Sequence, residues 1–465
     1  MDNRILYSWG KKLSKNVKKK IEINDETLRD GLQATYVKHP SIKEKIEFLL
    51  ASDKLGIDSI NIGFPVTSDK SKKEIIRITN FAKEEGLKIK IECGGRILKE
   101  DVEAIIDVSQ KTGVQIIAGL FIASSKIRYI VENWDLKEMG KLIEQNISLA
   151  VKNNLDVMFV SEDTSRAYPK TVSYLYNAAI DAGAKRLCIC DTVGESNPYS
   201  AYNLVSFVRD NIIKKNKKIK IDWHGHNDRG LATANSLAAI AAGADCIQVA
   251  ALGVGERAGN TVMEEILINL HKEGLIKANL EHLENYSKIA SKILKMKIRP
   301  NAPVIGSDIF KTATGVHASA IKKALQLKNK FLAENVYTSI SPSSLGRKHE
   351  ILIGPVSGKS NVEWYLKKKR IKPTAALTDL ILNKARIERR ILTEKRLEIL
   401  HTVKRKRPSS TYELAKILHR DLTNVIDDLR YLSELGLVVL KKSKTGKEKT
   451  IPSVDYDKIR LEIGV

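Results

Sequence analysis

The chain has 465 residues, 43% of them hydrophobic, which is material for two or three domains with apolar cores of their own. It holds no run of 18 apolar residues and no apolar stretch near Met1, which excludes a membrane-spanning helix and reads as a cytoplasmic protein rather than a secreted one. The formal net charge is +24, and residues 361–465 carry 25 Lys+Arg against 14 Asp+Glu, so a nucleic-acid partner is a question for the C-terminal end.

Residues 1–20 are polar and basic and read as a loose arm. A regular alternation follows. Strands are predicted at Ile21–Ile23, Ser59–Gly63, Ile89–Cys93, Val114–Ile122, Val157–Val160, Leu187–Cys190, Ile219–Trp223 and Cys246–Val249. Helical periodicity fills the intervals at Lys43–Leu55, Lys72–Glu85, Val102–Ser109, Leu136–Asn153, Lys170–Ala182, Tyr199–Ile213, Leu231–Ala242 and, after the last strand, Met263–Leu270. Eight strand–helix units over residues 21–275 predict an α/β fold, a (β/α)8 TIM barrel. A doubly wound open sheet is the alternative, but it rarely uses eight such even units. Cys93, Cys188, Cys190 and Cys246 all fall in predicted strands without a CxxC pair, as buried thiols of a reducing compartment do.

From 276 to 372 the alternation stops, and a small helical α+β subdomain and linker are expected. This stretch holds Gly315-Val316-His317-Ala318, the turn-rich Ile353–Lys359 and the charged Lys367–Arg370, which reads as a linker. Residues 385–465 read as a further unit. Helices are predicted at Ile391–Val403, at Tyr412–Leu418 behind Ser409–Thr411, and from Asp421 or Thr423 to Leu435, where Gly436 stops it. A strand at Leu437–Leu440, a turn at Lys444–Lys447 and a return strand near Thr450–Ile451 complete a winged helix-turn-helix pattern.

In a barrel of this kind chemistry sits at the C-terminal ends of the strands. Those positions hold Asp25, Glu26, Arg29, Asp30 and Gln33 after the first strand, and Glu162, Asp163 and Arg166 after the fifth. Asp191 and Thr192 follow the sixth, His224, His226 and Asp228 the seventh, and Gly253–Asn260 the eighth. Residues two apart on a strand face the same side, so His224 and His226 can present two imidazoles to one point. The bland alternative is a pair of unrelated surface histidines. With Asp30 as a carboxylate ligand and Asn260 as a carbonyl donor they make a set for a divalent cation, Mg, Mn or Zn. Such an ion holds a 2-oxo acid through its oxygens and polarises its carbonyl. Arg29 suits an oxyanion or a carboxylate, and Thr192 either a substrate carboxylate or a plain strand-end turn.

Asp25–Gln33 (DETLRDGLQ), His224–Asp228 (HGHND) and Gly255–Asn260 (GERAGN) resemble the DRE-TIM metallolyase family, within it the acyl-CoA Claisen-condensing branch of 2-isopropylmalate, homocitrate and citramalate synthases. The resemblance covers roughly residues 20–360. It implies Asp30, His224 and His226 as metal ligands with Asn260 at or near the metal, Arg29 stabilising the enolate or oxyanion, and Glu162 lining the acceptor site. It also implies His317 in acid/base catalysis, reaching a neighbouring subunit's barrel in a homodimer, and, more loosely, Tyr337. The implied reaction condenses acetyl-CoA with a 2-oxo acid and hydrolyses the thioester. The glycine loop GVGERAGN lacks the cysteine of the lyase branch, which favours the synthases. Two departures stand out. Phe121–Arg128 lacks the histidines of isopropylmalate synthases, and Arg128 there is expected to favour an acceptor with a second carboxylate. The C-terminal end does not resemble a leucine-sensing domain.

The tail raises a reading of another class, a DNA-binding regulator with the barrel as metabolite sensor. Residues Arg420–Arg430 carry three Asp against two Arg, which is poor for phosphate contact. The wing residues Lys441, Lys442, Lys444, Lys447 and Lys449 are better placed, and protein contact is the other use of such a module.

Overall fold

The computed structural model describes residues 5, 20–214, 218–276, 278–391, 393–443 and 449–456. The chain forms two compact units, one of residues 1–309 and 340–347, the other of residues 310–339 and 348–465.

The first unit is a closed parallel barrel whose strands pair in sequence order and whose eighth pairs with the first. The strands are β1 (Glu22–Asp25), β2 (Ser59–Asn61), β3 (Lys90–Arg96), β4 (Ile117–Ala123), β5 (Asp156–Glu162), β6 (Arg186–Asp191), β7 (Lys220–Gly225) and β8 (Cys246–Val249). Between them run α1 (Ile42–Leu55), α2 (Asp69–Glu84), α3 (Lys99–Thr112), α4 (Lys126–Glu132), α5 (Leu136–Lys152), α6 (Pro169–Asp181), α7 (Pro198–Phe207) and α8 (Ala232–Ala242). After β8 come α9 (Met263–Glu273) and α10 (Leu283–Leu294). Local chemistry sets these boundaries. Ser41 and Glu44 form a reciprocal capping box at the start of α1, and Pro169 and Pro198 open α6 and α7 where a missing N–H costs nothing. Gly243 ends α8 at φ 106, a conformation closed to side-chain-bearing residues, and turns the chain straight into β8.

The expected strands all form. β7 continues past Trp223 to Gly225, which puts His224 inside the sheet, while His226 is held just beyond it by a bridge to Asn260. The helix expected over Tyr199–Ile213 is α-helical to Phe207 and winds more loosely, as a π-helix, from Val208 to Ile213. Phe48, Phe159, Tyr176 and Trp223 are fully buried between strands and helices, each contributing about 1.5–3 kcal/mol of burial energy. The barrel interior is mixed, with an apolar cluster of Ile117, Met158, Cys188 and Cys190 beside buried polar groups. Asn24, Asn61, Glu92, Asp222, His224 and Gln248 are buried in its layers.

The second unit contains β9 (Lys311–Thr312), α11 (Gly315–Gln326), α12 (Lys330–Asn335), β10 (Glu350–Ile351), α13 (Lys359–Lys368), α14 (Ala375–Ile391), α15 (Glu394–Lys406), α16 (Thr411–Ile417), α17 (Leu422–Glu434), β11 (Val439–Ser443) and β12 (Lys449–Ser453). The charged Lys367–Arg370 is not a bare linker: Lys367 and Lys368 end α13, and α14 turns back so that Ile381 and Leu382 pack on Val362 and Leu366. Helices α15 to α17 and the antiparallel pair β11–β12 enclose a core of Ile399, Val403, Leu414, Val425, Leu429, Leu432 and Val438. The strand begins later than the expected Leu437, because Gly436 at φ 70 lets the Leu437 N–H close the end of α17 on the Leu432 carbonyl. Lys444 and Lys447 lie outside the described residues. Among the described residues no helix is long and apolar enough to cross a membrane.

Candidate active site at the barrel mouth

The loop after β1, the end of β7 and the loop after β8 bring Asp30, His224 and His226 together. Their nearest ligand atoms lie within 4.8 Å of one another. The two Nε2 atoms are 3.2 Å apart, and Asp30 Oδ2 is 3.8 Å from that of His224 and 3.6 Å from that of His226. Burial first, then the neighbouring imidazole, pushes His224 down to about 3, and burial likewise lowers His226, so both rings are neutral at physiological pH. Burial alone would raise Asp30, but Arg29 and the two histidines hold it well below the usual carboxylate range. Two lone pairs and an ionised oxygen thus converge. Atom separations of 3.2–3.8 Å are those of ligands about 2.1 Å from a shared centre, so the set fits a divalent cation. Among the described residues the buried Nδ1 atoms of both rings have no hydrogen-bond partner.

The supports of this cluster are explicit. Asn260 Nδ2 donates to Asp30 Oδ1 at 2.7 Å and to the Val254 carbonyl at 3.1 Å, and the Glu256 N–H donates to the same Asp30 oxygen at 3.1 Å. Gly255 is required here, since a Cβ would lie 2.2 Å from Asn260 Nδ2. Arg29 donates through Nε to Glu26 at 2.6 Å and through Nη1 to Asp30 at 3.2 Å, and its guanidinium stands 6.0 Å from the Phe64 ring. Burial would lower the Arg29 pKa, but the two carboxylates more than offset it and keep the cation charged. Beneath lies a cavity of about 210 Å³, lined by these groups and by Phe64, Gly94, Gly119, Phe121, Met158 and Val160.

Comparison with known proteins matches this region directly. The family model described as HMGL-like covers residues 20–292. The chain belongs to the HMGL-like family.

Among curated relatives of this HMGL-like chain, 2-isopropylmalate synthase of Methanocaldococcus jannaschii is 34% identical over 368 residues, spanning 77% of this chain and 65% of that one. An Archaeoglobus fulgidus protein named, provisionally, as an (R)-citramalate synthase is 33% identical over 359 residues, or 76% of this chain and 68% of that one. The chain therefore spans about two thirds of the length of the curated relatives it matches. The crystal structure of HMG-CoA lyase from Bacillus subtilis aligns with a TM-score of 0.50 at 21% identity, covering 60% of this chain and 95% of that one, a likeness of fold. A second family model, described only as HVO_A0114, matches residues 391–461.

The remaining predicted residues fall into three groups. Gln33, Glu162 and Thr192 line the cavity. Burial raises the pKa of Glu162, and Arg128 opposes it. Thr192 Oγ1 accepts from the Asp163 N–H at 2.8 Å, and its carbonyl accepts from Arg257, which also grips Asp228 at 2.8 Å. Arg128 is not among the lining residues; it is committed to Glu162 at 2.8 Å and Glu132 at 3.1 Å. His317 and Tyr337 belong to the second unit, where their rings stack with centroids 3.9 Å apart.

Sequence reasoning missed Glu92, Asn61 and Gln248, all lining residues. They lie within strands rather than after them. Lys90, Glu92 and Gly94 share one face of β3, and the pairing of a carboxylate with a glycine on that face was the available signal.

Proposed function

We propose that the barrel condenses acetyl-CoA with a 2-oxo acid and releases CoA, a metal-dependent Claisen condensation of the 2-isopropylmalate synthase type. The observation that carries this reading is the meeting of two neutral imidazoles and an ionised carboxylate beside Arg29 at a cavity in the barrel mouth. Homocitrate and citramalate synthesis are the alternatives within the class. Asp30, His224 and His226 would hold a Mg, Mn or Zn ion, which when bound supplies Lewis acidity toward the acceptor carbonyl.

The chain's own groups do the rest. Asn260 fixes Asp30 by its outer oxygen and leaves the other facing the histidines. Arg29, held by Glu26 and Asp30, is aimed at the oxyanion that develops when the acetyl carbon, having lost a methyl proton, bonds to the acceptor carbonyl carbon. Thr192 accepts from Asp163 and so keeps its hydroxyl hydrogen to donate to the acceptor carboxylate, and Gln33 lines the same cavity. Glu162 lines the acceptor site, and His317, with Tyr337, takes the acid/base role. Water then cleaves the thioester, and CoA leaves as the thiol. A homodimer in the cytoplasm is part of the same reading. Incubation with acetyl-CoA and a panel of 2-oxo acids, scored by free thiol, is the test, with 2-oxoisovalerate ahead of 2-oxoglutarate and pyruvate as expected acceptor. If no acid in the panel releases thiol from the metal-loaded chain, the reading fails.

For the tail we propose a winged-helix-like contact module, on the observation of three helices and an antiparallel hairpin around one core. A protein partner is favoured over DNA. On α17, Asp428 binds Arg396 at 2.7 Å and Arg420 at 2.6 Å, so both cations are occupied, and Asp427 is exposed where a phosphate would lie. Salt-dependent DNA binding by the full chain, lost on neutralising Lys442, would reverse that preference.

A further inference from the structure

The floor of the cavity holds an ionisable group that the reaction above does not use. Glu92 is buried at the centre of β3 and lines the cavity. Its seat is built: Asn24 donates to one oxygen, Asn61 Nδ2 to the other at 3.0 Å, and the missing side chain of Gly119 makes room, since a Cβ there would lie 2.8 Å from Glu92 Oε1. Among the described residues no cation is bonded to it in that seat. Arg29 is the sole Lys or Arg among the lining residues, against five carboxyl groups, Glu26, Asp30, Glu92, Glu162 and Glu256, and it is spent on Glu26 and Asp30. Arg128, the cation that the sequence offered to a second acceptor carboxylate, is bound to Glu162 and Glu132 instead.

We propose that Glu92 is a specificity-determining residue that turns the site toward monocarboxylic 2-oxo acids and against acceptors with a second carboxylate. The inference rests on the condensation reading and narrows its substrate class. A second carboxylate placed on this floor meets burial without a counter-ion and a carboxyl group facing it. The same field acts on Glu92 itself: burial first, then Glu26 and Asp222, raise it to about 8, with Arg29 opposing. The other ionisable groups against it are Cys93 on its own strand and Cys188 across the barrel, both thiols raised by burial. Below about pH 8 the acid is neutral and tolerates a neighbouring carboxylate; above it the floor is charged. A dicarboxylate must then bring a proton with it, which weakens its binding about tenfold per pH unit, whereas an aliphatic monocarboxylate is indifferent.

The experiment titrates 2-oxoisovalerate and 2-oxoglutarate calorimetrically into the Mn-loaded full chain at pH 7 and pH 9, for the wild type and Glu92→Gln. The expected result is tighter binding of 2-oxoisovalerate by the wild type at both pH values, with its margin over 2-oxoglutarate growing roughly tenfold from pH 7 to pH 9. In Glu92→Gln the margin is the same at both. Taking the ratio of two acids cancels every pH effect they share. Equal binding of the two acids by the wild type at pH 9, or a wild-type margin that does not move with pH, overturns the inference whether or not the variant folds. Thiol release with that outcome leaves the condensation reading standing. Neither binding nor thiol release with any acid ends both.

Discussion

The two ends of the barrel each bury an arginine between two carboxylates, and they do opposite things with it. At the N-terminal end Arg186 forms a fork with Asp222 at 3.1 and 2.9 Å and reaches Glu22 at 2.8 Å, and Lys220 closes on Glu22 as well. At the C-terminal end Arg29 meets Glu26 and Asp30, but Asp30 also faces two neutral imidazoles, and among the described residues their buried Nδ1 atoms and Asn260 Oδ1 have no hydrogen-bond partner. The lower network is closed. The upper one is left short of a positive charge and of hydrogen-bond partners. In a buried setting that incompleteness costs stability, and a fold retains it where a ligand completes the set.

The largest expected effect breaks the upper network alone. His224→Ala or His226→Ala abolishes metal binding and reduces condensation by about three orders of magnitude or more, while the barrel stays folded. Equilibrium dialysis and the thiol assay measure this, and full activity after metal add-back would refute the ligand set. Next, the two arginines are expected to separate. Arg29→Lys lowers kcat by about 10²–10³-fold with a modest change in unfolding midpoint. Arg186→Met costs about 3–5 kcal/mol in denaturant unfolding, by leaving Asp222 buried and unpaired, yet spares acceptor KM. If both variants lose the same property, the contrast between the two ends is wrong.

A smaller effect concerns Glu264, which sits behind the upper rim and accepts from Ser287 at 2.8 Å and from the Leu252 N–H at 3.0 Å. Burial raises it from its ordinary 4.5 to about 7, so the folded chain holds a proton there that the unfolded chain has released. Stability from this group therefore falls as pH rises from 4.5 to 7 and levels above that, an amplitude of roughly 3 kcal/mol. Glu264→Gln should flatten the slope in urea titrations across that window; an identical slope in both proteins would exclude the assignment. Least of all is expected from removing the tail. A chain ending at Ile391 keeps α14 on α13 and should retain condensation within about twofold. A cut at Lys372 strips α14 from Val362 and Leu366, and loss of activity there would be a packing effect.

The barrel was legible because each strand is a short apolar run closed by polar residues; the rim rule then put Asp30, His224 and His226 among its candidates, and the same-face spacing of the two histidines drew them together. It failed inside the strands. Glu92 sits in Ile89–Cys93, where the alternation of charged and apolar residues suggests one face turned to solvent; in a closed barrel that face is the interior. Arg128 shows a different limit of the sequence. Its partner Glu132 was visible four residues on, but Glu162, on the next strand, becomes a neighbour only once β4 and β5 pair.

The clasp between Asp30 and Asn260 joins residues 230 apart in the chain, and the Thr27 hydroxyl, 224 residues from Ala251, accepts that residue's N–H to close the same seam. Loop closure over such a span is the slow, entropically expensive part of building a fold. The ligand set is therefore absent from any partly folded chain, however much helix and sheet that chain already contains. During refolding, metal uptake should lag secondary structure and coincide with the pairing of β8 onto β1. The site reports that the ring has shut, and a chain still emerging from the ribosome without its eighth strand carries Asp30 and the two histidines but not the Asn260 clasp that fixes Asp30.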